Sequence, residues 1–135
     1  MIDFTICKDI SDREKVWEIV RNPYDIPNYW KGTRELNIKE IQKGVYEGDI
    51  RFAFPSSGKV RIVVDEGNKK VTINYLSGPV KGYHEITVET DKICSKWNVQ
   101  LSLVLRPFEK NTEEHFKSGT VNALDRIVSR AELSA

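Results

Sequence analysis

The sequence predicts an α+β fold in which a curved, seven-stranded antiparallel sheet surrounds a long C-terminal helix. Three observations lead to this prediction. One short strand and two short helical stretches come first, six segments of alternating apolar residues follow, and one amphipathic helix ends the chain. A hydrophobic period of two indicates strands, and a period near 3.6 indicates a helix. No helical stretch separates the six strands, so parallel pairing through crossover helices is excluded.

Composition favours one globular domain covering residues 1–135. The chain is 39% hydrophobic and 30% charged, which is typical of a soluble protein with a buried core. The formal net charge is +1, with acids and bases interleaved, so nucleic acid is not an expected partner. Charged residues in the first ten positions argue against a signal segment, and no apolar run is long enough for a membrane span. We therefore expect a cytoplasmic location.

The first elements are a strand and two short helices. Phe4 and Ile6 alternate with polar neighbours, which predicts a strand. The run Ser11-Asp12-Arg13-Glu14 has the pattern of a capping box, and it predicts a helix from about Asp12 to Arg21. Asn22-Pro23 is predicted to end this helix, and residues 24–30 are predicted to form a second short helical or turn segment.

Six strands follow between residues 33 and 106, the last from about Ile93 to Arg106. If Gly67-Asn68 forms a two-residue turn with positive φ, Val64 pairs with Val71, and residues 62 and 60 pair with 73 and 75. Each of these pairs then places two apolar side chains opposite each other. Taking residues 77–82 as the next turn pairs Tyr75 with His84 on the same inner face.

The last helix follows Arg106-Pro107. Asn111 is its predicted N-cap, with Glu114 three residues later, and we expect about 20 helical residues. Its apolar stripe consists of Phe116, Thr120, Ala123, Leu124, Ile127, Val128 and Ala131.

One helix cannot cover this sheet. A helix is about 10–12 Å across and seven strands span about 30 Å, so the sheet must curl and leave space beside the helix. The loops at 55–58, 77–82 and 106–111 lie at one end of the meander and would form the mouth of that space. The residues predicted to bind a ligand there are Trp30, Phe52, Phe54, Tyr75, His84, Trp97, Leu101, Phe116, Thr120 and Ala123.

Catalytic and metal-binding candidates are few. His84 is the one inward group that titrates near neutral pH, so it is either a structural histidine or an acid or base beside the Tyr75 hydroxyl. Cys7 and Cys94 are too few for a zinc site, and their positions out of phase with the apolar residues favour surface thiols over a cross-strand disulfide. We predict no metal and no cofactor.

The layout resembles the helix-grip fold of the SRPBCC superfamily, which includes START lipid-transfer domains, birch pollen allergen-like proteins and polyketide cyclases. The most family-like stretches are Val16-Trp17-Glu18-Ile19-Val20, Pro27-Asn28-Tyr29-Trp30 and the C-terminal helix. The resemblance covers the whole chain. It implies a cavity between sheet and helix that binds a hydrophobic ligand.

Three functions are compatible with this prediction. The first is binding or transport of a small hydrophobic or amphipathic ligand such as a lipid, a quinone or a polyketide-like molecule. The second is a polyketide cyclase or dehydratase-like enzyme that uses Tyr75 and His84. The third is a protein-interaction module that uses the outer face of the sheet. The sequence leaves open the identity of the ligand, the presence of catalysis and the oligomeric state.

Overall fold

The computed structural model describes residues 1–54 and 56–133. Within them lie seven strands, three α-helices and two short 3-10 helices at Pro23–Asp25 and Arg106–Phe108. The α-helices and strands are, in chain order, β1 (Ile2–Asp9), α1 (Arg13–Val20), α2 (Ile26–Tyr29), β2 (Thr33–Gln42), β3 (Val45–Phe52), β4 (Ser57–Asp65), β5 (Lys70–Tyr75), β6 (Val80–Val88), β7 (Lys92–Leu101) and α3 (Glu109–Leu133).

The strands form one antiparallel sheet in the order β1-β7-β6-β5-β4-β3-β2. Strands β2 to β7 are therefore a meander, and β1 returns to pair with β7 at the edge. This confirms the predicted α+β class, the seven-stranded sheet and the long final helix. None of the helices in residues 1–54 and 56–133 is long and apolar enough to cross a membrane.

The inner face of the sheet packs on α1 and α3. Strands β5 and β7 bury every second residue, as the period of two predicts, and β6 does so except at Gly82, which is half-buried. On α3 the buried residues are Thr120, Ala123, Leu124, Ile127, Val128 and Ala131, and Phe116 is half-buried against the same core. The predicted apolar stripe of α3 is thus confirmed.

Two helix starts differ from the prediction. Asp12 caps α1, because its carboxylate accepts a hydrogen bond from the Lys15 amide at 3.1 Å, so the assignment of Ser11 as the cap is wrong. Helix α3 has 25 residues and begins at Glu109. It continues directly from the 3-10 helix at Arg106–Phe108, so Asn111 lies inside α3 and does not cap it.

The hairpin of β4 and β5 has the predicted register. Val64 lies opposite Val71, and residues 62 and 60 lie opposite 73 and 75. Positive φ occurs at Lys69 (50°), however, and the predicted positive φ at Gly67-Asn68 is wrong. The Asp65 carboxylate accepts hydrogen bonds from the backbone and side-chain amides of Asn68, and these bonds close the turn without that conformation.

The hairpin of β5 and β6 is offset from the prediction by two residues. His84 lies opposite Ile73, and Tyr75 lies opposite Gly82, so the predicted pair of Tyr75 and His84 is wrong. Strand β6 begins at Val80, so the connection is shorter than we expected. A shift of two preserves the face to which each side chain points, and His84 and Tyr75 both remain buried.

Strand β7 ends at Leu101, and the predicted extension to Arg106 is wrong. The Ser102 amide donates to the Pro79 carbonyl at 2.9 Å, after which the chain turns into the 3-10 helix. In the longer strand Leu103 would be in phase with Leu101 and face inward, but it is 75% exposed.

Cys7 and Cys94 form a disulfide, so the assignment of surface thiols is wrong. They lie directly opposite each other in the pairing of β1 with β7, on the outer face of the sheet, with Cα atoms 4.1 Å apart. The two residues are separated by 87 positions in sequence, and hairpin arguments establish register only between neighbouring strands. The bond fixes the edge strand β1 to β7.

Candidate ligand-binding cavity

A cavity of about 300 Å³ lies between the sheet and the first half of α3. This volume is at the lower end of the range for small-molecule sites, about 300–1,000 Å³. The residues that line it are Trp30, Gly32, Thr33, Phe52, Ala53, Phe54, Tyr75, Val80, Trp97, His115, Phe116 and Gly119.

The meander places the sheet side of the cavity at one end of the strands. Phe52 is the last residue of β3, Tyr75 is the last of β5, and Val80 is the first of β6. In an antiparallel meander, the end of one strand and the start of the next lie at the same end of the sheet, so these residues come together there. Thr33, the first residue of β2, adds to the wall.

Helix α3 supplies the opposite wall and leaves part of it open. Phe116 and Gly119 lie one turn apart on the helix, and both face the cavity. A Cβ atom added to Gly119 would meet no atom within 4 Å. His115, at the rim, is exposed. The missing side chain at position 119 is therefore one source of the open space.

Trp97 is held in place by hydrogen bonds to α3. Its indole Nε1 donates to Thr120 Oγ1 at 2.9 Å, and the Thr120 hydroxyl donates to the Phe116 carbonyl at 2.7 Å. The Trp97 ring is nearly parallel to the Tyr75 ring, with an angle of 6° and centroids 6.0 Å apart. Thr120, predicted to contact a ligand, instead positions Trp97.

His84 lies outside the cavity lining. It is 1% exposed, its Nε2 shares a hydrogen bond with Ser95 Oγ at 2.5 Å, and its ring stacks on Trp97 with centroids 3.8 Å apart. The edge of Trp30 packs on it from another side. Burial lowers the pKa of His84 to about 3, so the imidazole is neutral near pH 7. The histidine is thus part of the core beneath the cavity wall.

Tyr75 is a buried side chain that contributes a hydroxyl group and lines the cavity. The side chain is 5% exposed, and its hydroxyl makes no hydrogen bond within residues 1–54 and 56–133. Thr33, 7% exposed, also has a hydroxyl with no partner in this part of the chain. Burial raises the pKa of Tyr75, so its phenol stays protonated and can donate. Among the described lining residues there is no carboxylate, lysine or arginine.

The structure brings six of the ten predicted ligand-binding residues to this cavity, and four lie elsewhere. The six are Trp30, Phe52, Phe54, Tyr75, Trp97 and Phe116. Phe54 lies beyond the end of β3, 38% exposed, and stacks on Phe52 with centroids 5.3 Å apart. His84, Leu101, Thr120 and Ala123 are buried in the core and do not line the cavity. Pro55, placed in a mouth loop by the sequence, lies outside the described residues.

The sequence interpretation missed six lining residues: Gly32, Thr33, Ala53, Val80, His115 and Gly119. Most lie at the ends of strands or beside them, where alternation stops. The position of Val80 could have been found from a shorter turn between β5 and β6. Gly119 is a small residue beside the apolar stripe of α3, and small size alone does not distinguish a close helix contact from open space.

Comparisons with known proteins identify the fold. No protein-family model matches the sequence, and the search of curated proteins finds no match. Solved structures do match along nearly the whole chain. The Zhui aromatase/cyclase from Streptomyces sp. R1128 superimposes with a TM-score of 0.72 at 14% identity, covering 96% of this chain and 93% of that one. A protein from Thermus thermophilus gives 0.72 at 11% identity, covering 95% and 98%.

A STAR-related lipid transfer protein from Xanthomonas axonopodis also matches, with a TM-score of 0.57 at 9% identity, covering 96% of this chain and 85% of that one. Together with the topology, these matches show that the chain has a helix-grip fold, in which a curved antiparallel sheet packs around a long C-terminal helix. At such low identities the likeness is one of fold alone.

Proposed function

We propose that the protein binds a small hydrophobic or amphipathic molecule in the cavity between the sheet and α3. The observation that carries this proposal is a cavity in which six of the twelve described lining residues are Phe, Trp or Tyr, and in which the Tyr75 hydroxyl has no hydrogen-bond partner within residues 1–54 and 56–133. A polar atom on a bound molecule would satisfy this hydroxyl, and the aromatic walls would bury the rest of that molecule.

The same arrangement argues for binding over catalysis by the predicted pair. His84 is bonded to Ser95, neutral near pH 7 and outside the lining, so it has no path for exchanging a proton with a molecule in the cavity. The fold likeness to an aromatase/cyclase keeps a cyclase-like reaction as an alternative, with Tyr75 as its remaining candidate. No contact in the described residues favours it specifically.

Within residues 1–54 and 56–133, the outer face of the sheet offers no comparable feature for the interaction-module alternative. Several of its charges are paired with one another across strands, for example Lys59 with Asp49 and Arg61 with Glu47. Exposed pairs of this kind form a solvated surface. The cytoplasmic location and the single domain over residues 1–135 remain predictions. The shared core of sheet and helices supports the second of them.

The test is to fill the cavity from Gly119. N-phenyl-1-naphthylamine, a neutral probe that fluoresces in apolar surroundings, should bind the wild-type protein. Gly119→Phe places a ring in the open space and should weaken that binding at least tenfold. Ser118→Phe is the matched control, because it adds the same ring at an exposed position on the same helix.

Thermal unfolding of both variants checks that they fold. Equal probe binding by wild type and Gly119→Phe would contradict the proposal. So would a wild-type protein that does not bind the probe and that retains no small molecule in native mass spectrometry when purified from its own source.

A further inference from the structure

We infer that the cavity selects a neutral, planar aromatic molecule bearing a carbonyl group, and that Tyr75 is the residue that recognises this carbonyl. The inference rests on the proposed function and specifies its ligand class. Three features of the cavity carry it: the shape of its walls, the absence of charge among its described lining residues, and the state of its buried hydroxyl.

Aromatic rings form a large part of the walls. Trp97 and Tyr75 present nearly parallel rings, at 6°, and Phe52 and Phe54 do the same at 2°, whereas Phe52 is tilted by 39° to Tyr75 and Phe116 by 42° to Trp97. Trp30 and Phe116 add two further rings. Aromatic faces gain stacking energy from a planar ring in addition to the burial of its area, and a flexible alkyl chain gains only the burial. A volume of about 300 Å³ also leaves little room for a lipid with two acyl chains.

The described lining residues have no partner for a buried charge. They include no lysine or arginine that could pair with a carboxylate or phosphate. Moving such an anion out of water without a partner is strongly unfavourable. The one histidine among the described lining residues, His115, lies exposed at the rim. A fatty acid or phospholipid head group would therefore be excluded from the interior.

The available polar group is a phenol, whose hydroxyl donates one hydrogen bond and can also accept. Tyr75 keeps its proton in its buried setting, and its hydroxyl has no partner in the described residues. The indole N–H of Trp97 is already occupied by Thr120. A carbonyl oxygen accepts hydrogen bonds and carries no charge, so it matches the Tyr75 hydroxyl. The Thr33 hydroxyl, also in the lining, could supply a second bond.

Four probes test the inference by displacement of N-phenyl-1-naphthylamine. Three share one ring system: 2-acetylnaphthalene has a carbonyl, 2-ethylnaphthalene lacks it, and 2-naphthoate is charged. The fourth, 1-decanol, is a flexible chain. We expect 2-acetylnaphthalene to bind about three- to tenfold more tightly than 2-ethylnaphthalene, the range for one hydrogen bond. It should bind at least tenfold more tightly than 2-naphthoate, and more tightly than 1-decanol.

Tyr75→Phe should remove the preference for the ketone, bringing 2-acetylnaphthalene and 2-ethylnaphthalene within about twofold of each other. Tyr83→Phe is the matched control, because Tyr83 is on the neighbouring strand, pairs with Asn74 and Asn98, and lies outside the lining. It should leave the preference unchanged.

Several results would overturn the inference. They are a 2-naphthoate affinity equal to that of the ketone, tighter binding of 1-decanol, or a ketone preference that survives Tyr75→Phe. A naphthoate affinity that is lost in His115→Asn would show that the rim histidine recognises anions. If 1-decanol alone displaces the probe, and Gly119→Phe prevents the binding of 1-decanol, the proposed function stands. The inference that the ligand is a planar aromatic molecule then fails. If neither the dye nor any of the four compounds binds, both fail.

Discussion

Trp97 donates its indole N–H to the hydroxyl of Thr120 at 2.9 Å, and this bond joins strand β7 to helix α3 beside the cavity. Both side chains are buried, and Thr120 passes the interaction on to the Phe116 carbonyl. Since Phe116 and Trp97 both line the cavity, this short chain of hydrogen bonds sets the relative positions of its two walls. Thr120 therefore positions two residues that line the cavity, although it does not line the cavity itself.

Thr120→Val tests this bond. Valine has nearly the shape of threonine and lacks the hydroxyl, so the Trp97 N–H would be left buried without a partner. We expect the free energy of unfolding to fall by about 1–3 kcal/mol in urea titrations, and N-phenyl-1-naphthylamine to bind more weakly. Thr112→Val is the control, because that hydroxyl bonds the Phe108 carbonyl at an exposed site on the same helix. Equal losses in the two variants would contradict a special role for Thr120.

Gly82→Ala should destabilise the sheet beneath the cavity. Gly82 has φ 135°, a conformation that L side chains rarely adopt, and an added Cβ would lie 2.2 Å from the Asn98 carbonyl oxygen. We expect a loss of about 2–4 kcal/mol in the free energy of unfolding, measured by urea titration. At Gly67 the nearest atom to an added Cβ is 3.6 Å away, so Gly67→Ala should change stability by less than about 1 kcal/mol. A mild effect at Gly82 would show that β6 and β7 can separate locally at no large cost.

Reduction of the disulfide should lower stability markedly. The bond between Cys7 and Cys94 closes a loop over a sequence separation of 87 residues, and a loop of that length corresponds to about 3–5 kcal/mol through the entropy of the unfolded chain. The midpoint of urea unfolding should therefore fall in the presence of dithiothreitol. The double variant Cys7→Ser, Cys94→Ser should unfold at the reduced midpoint with or without the reductant. An unchanged midpoint after thiol titration has verified reduction would contradict this expectation.

Local patterns were sufficient to predict the class of fold and the inner face of the sheet. Alternation identifies which residues point inward, and a two-residue error in register leaves that face unchanged, as Tyr75 and His84 illustrate. The register between strands that are distant in sequence was not predictable from local patterns. The opposition of Cys7 and Cys94 follows from the return of β1 to β7, for which no hairpin gives the register.

The cavity itself depends on volumes that have no sequence pattern. Leu101 and Ala123 look like cavity residues by position, yet both are fully packed, whereas Gly119 leaves open space. Whether an inward side chain lines a cavity or fills the core depends on which residues face it across the gap between helix and sheet. The strand and helix periodicities do not carry that information.

The stability of the protein should fall between pH 7 and pH 5 because of His84. Its pKa in the folded state is lowered by burial to about 3, against about 6.5 when unfolded, so over this range the unfolded chain binds the additional proton. Stability is then undiminished above pH 6.5 and decreases as the pH falls toward 3. The loss should reach about 2 kcal/mol at pH 5.

Urea titrations at pH 7, 6 and 5 measure this loss, and this range lies above the region in which carboxylates such as Asp65, whose pKa is lowered, become protonated. His84→Gln should remove most of the slope, at the cost of lower stability at pH 7, because the Ser95 contact changes. His115→Gln is the matched control at an exposed site and should retain the slope. A wild-type stability that stays constant from pH 7 to pH 5 would mean that His84 can take up its proton inside the fold. The packing of Trp30 and Trp97 around His84 would then admit water readily.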